Sequence, residues 1–384
     1  MTLPNRPRSP YYTEEHEAFR ATMRRFVDKE IAPFVDEWDE AGGFPRELYK
    51  KASAVGLLGL GFPEEYGGIP TDRFYSIIAS QELARAGAGG VSASLMSHTI
   101  GSPPIARLGS KAMKDRVLPQ VLSGEKISCL AITEPDGGSD VANLRTSAKR
   151  SGDHYVVNGA KMFITSGVRA DFYTVAVRTG GTGARGISLL LLEKGMPGFT
   201  QTPLRKMGWW ASDTASLHFD GVKVPAENLI GPENEGFRGI MFNFNGERLG
   251  MAAGCTGFSQ VCLDEAVSWA RQRKVFGKPL IEQQVIRHKL VDMAMRINAT
   301  QAYLESLAWR VQQGESPIAE IAMLKNQATQ TMAFCASEAV QIHGGMGFMR
   351  GTKVERIYRE VKVNAIGGGA EEIMKELAAR QLGF

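Results

Sequence analysis

In the first third of the chain, apolar residues recur at a spacing close to that of an α-helix. Phe19, Met23 and Phe26 repeat in this way within TEEHEAFRATMRRFVDKEIAPFV, with charged residues between them. A second helix is indicated by PRELYKKASAVGLLGLGFPEEYGG, which ends in a loop rich in glycine and proline. The same pattern continues in FYSIIASQELARAGAG and KAMKDRVLPQVLSGE. We therefore predict a helical domain over residues 1–125.

The pattern changes to that of β-strands near Lys126. Polarity alternates in HYVVNGAKMFIT around Asn158-Gly159, and Asn-Gly is the strongest short-range signal for a β-hairpin. Further strand-like runs, bounded by Gly, Pro and Asp, are FYTVAVRT, GISLLLLEK and SLHFDGVKVP. These runs predict a mainly antiparallel β domain over residues 126–235.

Long helical patterns return at about residue 236. Apolar and charged faces alternate in TGFSQVCLDEAVSWARQRKVFG, QQVIRHKLVDMAMRINATQAYLESLAWRVQQG, EIAMLKNQATQTMAFCASEAVQIHGG and EEIMKELAARQ. Four such helices in succession predict a four-helix bundle over residues 236–384. The expected fold class is therefore α+β: an N-terminal helical domain, a middle antiparallel β domain and a C-terminal four-helix bundle.

Composition narrows the class of protein. The 384 residues are 43% hydrophobic and 22% charged, as in ordinary soluble domains, and a net charge of +4 with interspersed signs does not favour nucleic-acid binding. We see no apolar run that would span a membrane and no signal peptide in MTLPNRPRSPYYTEEHEAF, so we expect a cytoplasmic protein. The six histidines are scattered, so no metal site is expected. Isolated cysteines, which fit a reducing compartment, are Cys129, Cys255, Cys262 and Cys335.

One charged pair stands inside an apolar run. Glu247 and Arg248 lie side by side in GIMFNFNGERLGMAAG, where the neighbours look like core residues. A buried charge is costly unless it is paired or used, so two interpretations stay open. Glu247 is either a carboxylate whose pKa is raised for proton transfer, or one half of a structural Glu247–Arg248 pair.

Two other motifs are compatible with a binding site. CLAITEPDGGSD turns from an apolar run into a polar loop, where the amides of Gly137, Gly138 and Ser139 could bind an anion; a plain interdomain loop explains it equally well. KMFITSG contains an aromatic residue followed by a β-branched hydroxyl residue. These two could form a flat wall with a hydrogen-bond donor, or the segment could simply be a strand that leaves the sheet.

Taken together, these motifs resemble those of the acyl-CoA dehydrogenase family, and among its branches the long-chain and isovaleryl-CoA dehydrogenases. The matching motifs are Thr133-Glu134-Pro135 with Gly138-Ser139-Asp140, RKVFGKPL with Gln283-Gln284, and QIHGGMGFM. The resemblance implies FAD-dependent oxidation of a saturated acyl-CoA to trans-2-enoyl-CoA, with flavin N5 accepting the hydride. It also implies a homotetramer that passes its electrons to electron-transfer flavoprotein.

The resemblance further implies which residues contact FAD. Those near the flavin ring would be Leu130, Ile132, Thr133, Phe163, Ile164 and Thr165, with the Thr165 hydroxyl bonding N5. The pyrophosphate would be held by Gly138 and Ser139. The adenosine diphosphate half of a neighbouring subunit's FAD would be reached by Arg273, Phe276, Gln284, Gln341 and Gly345. Further contacts are implied for Ala370, where many members have Thr, and for Glu372.

The catalytic groups are implied in the same way. AIGGGAEEIM has Gly367-Gly368 where many members carry Tyr-Glu, whose Glu is the base. The long-chain and isovaleryl branches carry the base on the earlier helix, where Glu247 stands, so the resemblance implies Glu247 as base. It implies the Gly368 N–H as a donor to the thioester carbonyl. The implied substrate contacts are Ser139, Asn245, Arg248 and Gly369. The dipole of the helix that Glu371 and Glu372 open is sufficient to explain these two carboxylates without a catalytic role.

Two alternatives stay open. An acyl-CoA oxidase would pass its electrons to oxygen. A non-catalytic flavoprotein of the same fold, DNA-associated or an assembly factor, is compatible with the pI of about 8.8. The presence of Glu247 together with Asn245 and Arg248 argues against the second alternative, and the length of the acyl chain stays open.

Overall fold

A computed structural model describes residues 9–384, without the side chains of residues 242 and 243. The prediction of an α+β fold is confirmed: helices come first, a sheet follows, and long helices close the chain. The absence of a signal peptide was predicted from residues 1–19, of which residues 1–8 lie outside the described residues. In the described part, no helix combines the length and apolar character that a membrane span needs.

The first part of the chain is helical, as predicted, but its helices are shorter than the patterns suggested. They are α1 (Glu14–Glu30), α2 (Val35–Ala41), α3 (Glu47–Ala54), α4 (Arg73–Ala84), α5 (Gly89–Leu95), α6 (His98–Gly101), α7 (Pro103–Leu108) and α8 (Lys111–Leu122). The predicted second helix stops at Ala54, because Gly56 takes a left-handed conformation at φ 79° and 3₁₀ turns follow.

The middle part forms one mostly antiparallel sheet. Its strands are β1 (Ser128–Ala131), β2 (Ser147–Ser151), β3 (His154–Thr165), β4 (Phe172–Arg178), β5 (Ile187–Glu193), β6 (Phe199–Pro203), β7 (Thr214–Pro225) and β8 (Leu229–Ile230). The order is β6-β7-β3-β2-β4-β5-β8, and β1 pairs in parallel with β4. β1 also contacts β3, and the Met162 N–H near the end of β3 donates to the Thr133 carbonyl just after β1, so the candidate motifs meet there.

The predicted hairpin at Asn158-Gly159 is wrong. β3 runs through both residues as one strand, and its pairing with β7 shifts register between Val157 and Gly159. Gly159 has φ 139°, and a Cβ there would lie 2.8 Å from the Cα of Thr146. The Asn158 side chain accepts a hydrogen bond from the Gly221 N–H at 2.8 Å. The Asn-Gly pair therefore makes a bulge where strands approach closely, and not a turn.

The described last part of the chain is built on three long helices and three shorter ones. They are α9 (Gly236–Gln272), α10 (Gln284–Gln312), α11 (Ile318–His343), α12 (Gly345–Phe348), α13 (Lys353–Ile366) and α14 (Glu371–Leu382), with a hairpin of β9 (Lys274–Val275) and β10 (Lys278–Pro279). Besides the four predicted helices, α13 packs against both α9 and α11. Its pattern was missed because its inner face carries Arg356 and Glu360, which are buried and charged.

Buried charges join the three parts of the chain. Glu360 on α13 accepts the Gly89 N–H at 2.8 Å and the Trp209 N–H at 3.1 Å. Asp39 on α2 accepts the Ala211 N–H at 3.3 Å and pairs with Arg359 on α13. Burial raises the pKa of Glu360 to about 7. The helices and the loop between β6 and β7 are thus tied together at one junction.

All four cysteines are buried, and burial raises the pKa of each thiol. The thiol pKa rises to about 12 for Cys255 and Cys335, and well above its ordinary value for Cys129 and Cys262.

The close approach at the bulge can be tested by Gly159→Ala. We expect a loss of about 2 kcal/mol or more in the free energy of unfolding, because the methyl group meets Thr146 and the backbone strain adds to it. The control is Gly152→Ala, which also has a positive φ but open space around its Cβ. Equal losses in urea unfolding of both variants would contradict a role for the close contact.

Candidate functional site

Glu247 lies on α9 with one carboxylate oxygen sealed from solvent. Its Oε2 is buried, and within residues 9–384 it has no hydrogen-bond partner. Burial raises the pKa of Glu247 to about 7, against an opposing effect of the Arg248 charge. A buried carboxylate without a partner is costly, so its retention points to use as a proton acceptor.

Arg248 directs its guanidinium to the Gly368 carbonyl and to Asn245. Its Nε donates to the carbonyl of Gly368 at 3.2 Å, and its Nη1 donates to Asn245 Oδ1 at 3.3 Å. The guanidinium also lies 5.5 Å from the ring centre of Phe244. In the described part of the chain the two neighbours form no direct ion pair, so the geometry does not favour the interpretation of a structural Glu247–Arg248 pair.

The glycine turn after α13 packs directly against α9. Gly368 has φ 65°, and a Cβ there would lie 2.6 Å from the sulfur of Met251, one helical turn beyond Glu247. Residues 245–248 and 367–369, which are far apart in sequence, therefore meet. The Gly368 N–H has no protein acceptor among the described residues, whereas the Gly367 N–H donates to Val363 O at 2.8 Å. One free amide is thus presented beside α9.

The acidic residues that follow the turn have a different environment. Ala370 is the N-cap of α14 and supplies no side-chain capping bond. Glu371 pairs with Lys375 at 2.9 Å, and this bond holds the pKa of Glu371 below its ordinary value. Glu372 is exposed in the first turn. The surroundings of Glu371 favour its charged form, unlike those of Glu247.

The residues assigned to the flavin ring gather where β1 and β3 end. The Thr133 carbonyl accepts the Met162 N–H at 2.8 Å. Phe163 is 67% exposed at φ 63°, a left-handed conformation that is unusual for an aromatic residue. Such an exposed, strained ring suits a wall for a flat ligand. The side chains of Ile132 and Ile164 pack into the core, so only their backbone can meet a ligand.

A buried ion pair, which no local pattern in the sequence indicates, supports this edge. Lys161 Nζ lies 2.8 Å from Glu134 Oε1 and donates to Ile132 O at 2.9 Å. Glu134 also accepts the Arg145 N–H at 2.6 Å. Burial lowers the pKa of Lys161 to about 8. The pair fixes the loop that follows β1, while the Gly137 N–H is used within that loop, donating to Glu134 O.

Gly138 and Ser139 remain exposed in that loop. A second group of exposed residues lies where α9 and α11 end. Phe276, in the β9–β10 hairpin, is 97% exposed at φ 49°. The rings of Trp269 and His343 stack at 5.1 Å and join the ends of α9 and α11. The exposed residues at this end are Arg273, Phe276, Gln284, Gln341 and Gly345.

The chain matches family models along most of its length. They are described as the N-terminal, middle and C-terminal domains of acyl-CoA dehydrogenase, and they match residues 13–125, 129–222 and 234–383. The long-chain specific acyl-CoA dehydrogenase of Rattus norvegicus mitochondria is 38% identical over 375 residues, which cover 97% of this chain and 87% of that protein.

Solved structures agree with these matches. A probable acyl-CoA dehydrogenase from Mycobacterium abscessus is 49% identical with a TM-score of 0.96, covering 97% of this chain and 100% of that one. A glutaryl-CoA dehydrogenase from Mycobacterium smegmatis, in complex with FADH2, is 28% identical with a TM-score of 0.90, covering 97% and 95%.

The fold and the site define a flavin-dependent oxidoreductase. The chain belongs to the acyl-CoA dehydrogenase family, whose cofactor is FAD and whose reaction is the dehydrogenation of an acyl-CoA thioester. The residues present fit the cofactor, since an exposed Phe163 beside Thr133 offers a flat wall and Gly138 and Ser139 leave a loop open.

The raised pKa of Glu247 makes a prediction about stability. Its folded-state pKa of about 7 exceeds the ordinary 4.5, so the folded protein binds this proton more tightly, and stability falls as pH rises between the two values. Glu247→Gln removes this loss. We expect the melting temperature of the variant, relative to the parent, to rise between pH 5 and pH 8.

The control is Glu371→Gln, because the bond to Lys375 shifts the pKa of Glu371 downward, away from the range between pH 5 and pH 8. Its melting temperature relative to the parent should stay level over the same pH range. A level difference for Glu247→Gln as well would mean that the Glu247 carboxylate is ionised as in water.

Proposed function

We propose that Glu247 removes the α-proton of a saturated acyl-CoA. The single observation that carries the proposal is its buried, partner-free Oε2, together with a pKa of about 7. A base works best when its pKa lies near the working pH and water cannot solvate its charge. FAD, when bound, supplies the acceptor for the β-hydrogen. The product is then a trans-2-enoyl-CoA.

The Gly368 N–H is proposed as the donor to the thioester carbonyl. Negative charge moves onto that oxygen as the α-proton leaves, and a fixed donor stabilises the charge without reorganising. The free N–H, in a turn whose Gly368 carbonyl is held by Arg248, supports this role. Arg248 therefore orients the turn, besides the contact with the pantetheine arm that we propose for it. The other proposed substrate contacts are Ser139, Asn245 and Gly369.

FAD is proposed to lie along the end of β3, against Leu130, Thr133, Phe163 and Thr165. The exposed residues around Arg273 would then serve a neighbouring subunit's FAD in a homotetramer. The exposure of Phe276 supports this, because an aromatic ring that is 97% exposed in one chain is commonly covered in an assembly. Ala370 and Glu372, at the start of α14, complete the proposed cofactor contacts.

We propose electron-transfer flavoprotein as the electron acceptor, a medium- to long-chain or methyl-branched acyl group, and a cytoplasmic location. The location is supported by four cysteines that are buried and unpaired. Flavin reduction in an anaerobic titration with acyl-CoAs of increasing length and branching would identify the acyl group. Rapid peroxide formation at full turnover in air would favour an oxidase instead.

The base is tested by Glu247→Gln. We expect the variant to keep its FAD and bind acyl-CoA, while flavin reduction falls by about 10²–10⁴-fold or more, because no water can replace the missing base. Stopped-flow absorbance under anaerobic conditions measures the rate. The control is Glu371→Gln, whose rate should stay near that of the parent. A Glu247→Gln rate within about tenfold of the parent would place the base elsewhere.

The shared cofactor is tested by Arg273→Ala. If this residue holds FAD of a neighbouring subunit, the variant should lose flavin and dissociate together, since the cofactor bridges two chains. The ratio of flavin to protein absorbance and light scattering after size exclusion report the two losses. The control is Lys274→Ala at the adjacent exposed position. Full flavin in a monomeric Arg273→Ala variant would contradict the intersubunit placement.

A further inference from the structure

Lys325 is a buried lysine on α11 that reaches the glycine turn. Its side chain is fully buried, and its Nζ donates to Gly369 O at 2.7 Å and to Ala365 O at 3.2 Å. Burial lowers the pKa of Lys325 to about 8. No carboxylate forms an ion pair with it in the described part of the chain. A buried ammonium that is held only by carbonyls is costly, so its position requires a reason.

The two carbonyls lie on either side of the turn. Ala365 O belongs to the last turn of α13, where a cation complements the helix dipole. Gly369 O lies at the opposite end of the three glycines. Gly368 and Gly369 both have positive φ, at 65° and 109°, and three successive glycines would otherwise sample many conformations. Lys325 therefore closes a loop that has little stiffness of its own.

The other backbone N–H and C=O groups of the glycine turn differ in whether they have a hydrogen-bond partner. The Gly367 N–H donates to Val363 O, and Gly368 O accepts from Arg248. With Gly369 O bound to Lys325, the Gly368 N–H stands without a protein acceptor among the described residues. Three backbone groups are held, and the N–H groups of Gly368 and Gly369 are left as donors in the turn among the described residues.

We propose that Lys325 is a positioning residue for the reaction: from α11 it clamps both ends of the glycine turn and so fixes the Gly368 N–H for the thioester carbonyl. This rests on the proposed function of Glu247 and Gly368. Lys325 touches neither substrate nor cofactor in this role. A displacement of about 1 Å in such a donor can cost about a hundredfold in rate, which is why a remote clamp matters.

The competing explanation is that Lys325 only stabilises the end of α13. Both explanations expect Lys325→Met to lower the melting temperature, so stability does not separate them. The two explanations differ in how Lys325 affects negative charge on the thioester carbonyl of a bound ligand. Only the positioning role expects Lys325→Met to weaken the stabilisation of that charge. A bound 3-oxoacyl-CoA reports that stabilisation, because its acidic α-C–H ionises to an enolate whose absorbance can be titrated.

The test compares Lys325→Met with the parent holoenzyme. We expect flavin reduction at saturating acyl-CoA to fall by about 10–100-fold with little change in KM. The apparent pKa of bound 3-oxoacyl-CoA should rise by about one unit or more, since one unit corresponds to a tenfold change in equilibrium. The control is Lys206→Met, which removes another lysine whose pKa is about 8 and which donates to a backbone carbonyl in the β domain.

A parent-like reduction rate and enolate pKa in folded, flavin-loaded Lys325→Met would overturn the proposal. Lys325→Gln, which keeps a donor but loses the charge and reach, provides a second measurement if the methionine variant does not fold. Failure of both variants to hold FAD would assign Lys325 to stability alone and would also overturn it. If the parent itself fails to reduce its flavin with acyl-CoA, the proposed function fails, which is a separate outcome.

Discussion

The arrangement of the site depends on the junction formed by Asp39 and Glu360. Each carboxylate is buried, and each reaches backbone N–H groups from a different part of the chain. These hydrogen bonds stabilise the two buried carboxylates, so separate movement of the parts would leave buried polar groups unpaired, which is costly. Glu360 lies two helical turns before Gly368. The junction thus fixes the glycine turn relative to the sheet as well as to α9.

Glu134, Glu371 and Glu247 have different pKa shifts because their environments differ. For Glu134, burial opposes ionisation, but Lys161 and backbone N–H groups bring the pKa below its ordinary value. Glu371 keeps its charge through a bond to exposed Lys375. Only Glu247 has a buried carboxylate oxygen without such partners, and only its pKa is raised among the three. The candidate base is therefore distinguished by the absence of compensation.

Sequence reasoning predicted the order of elements. Through family resemblance it also assigned the Glu247–Arg248 region and Gly368 to one site, and Arg248 does contact Gly368. It failed where tertiary contacts override a local pattern. Asn158-Gly159 has the chemistry of a turn, but the nearness of Thr146 makes it a bulge. Lys161 and Lys325 look like solvated residues in sequence. Their local sequence does not indicate that Lys161 binds a buried carboxylate or that Lys325 binds backbone carbonyls. Such partners come from distant elements, which periodicity cannot report.

The burial of all four cysteines has a practical consequence. Thiolates are the reactive form, and a thiol that is both enclosed and raised in pKa reacts slowly with alkylating reagents at neutral pH. A cysteine introduced on the surface would therefore react before the four natural ones. One suitable substitution is Met207→Cys, at a position that is 72% exposed. Fluorophores or spin labels can be attached at chosen points without first removing the natural thiols, so distances between labelled positions become measurable in the otherwise unaltered enzyme.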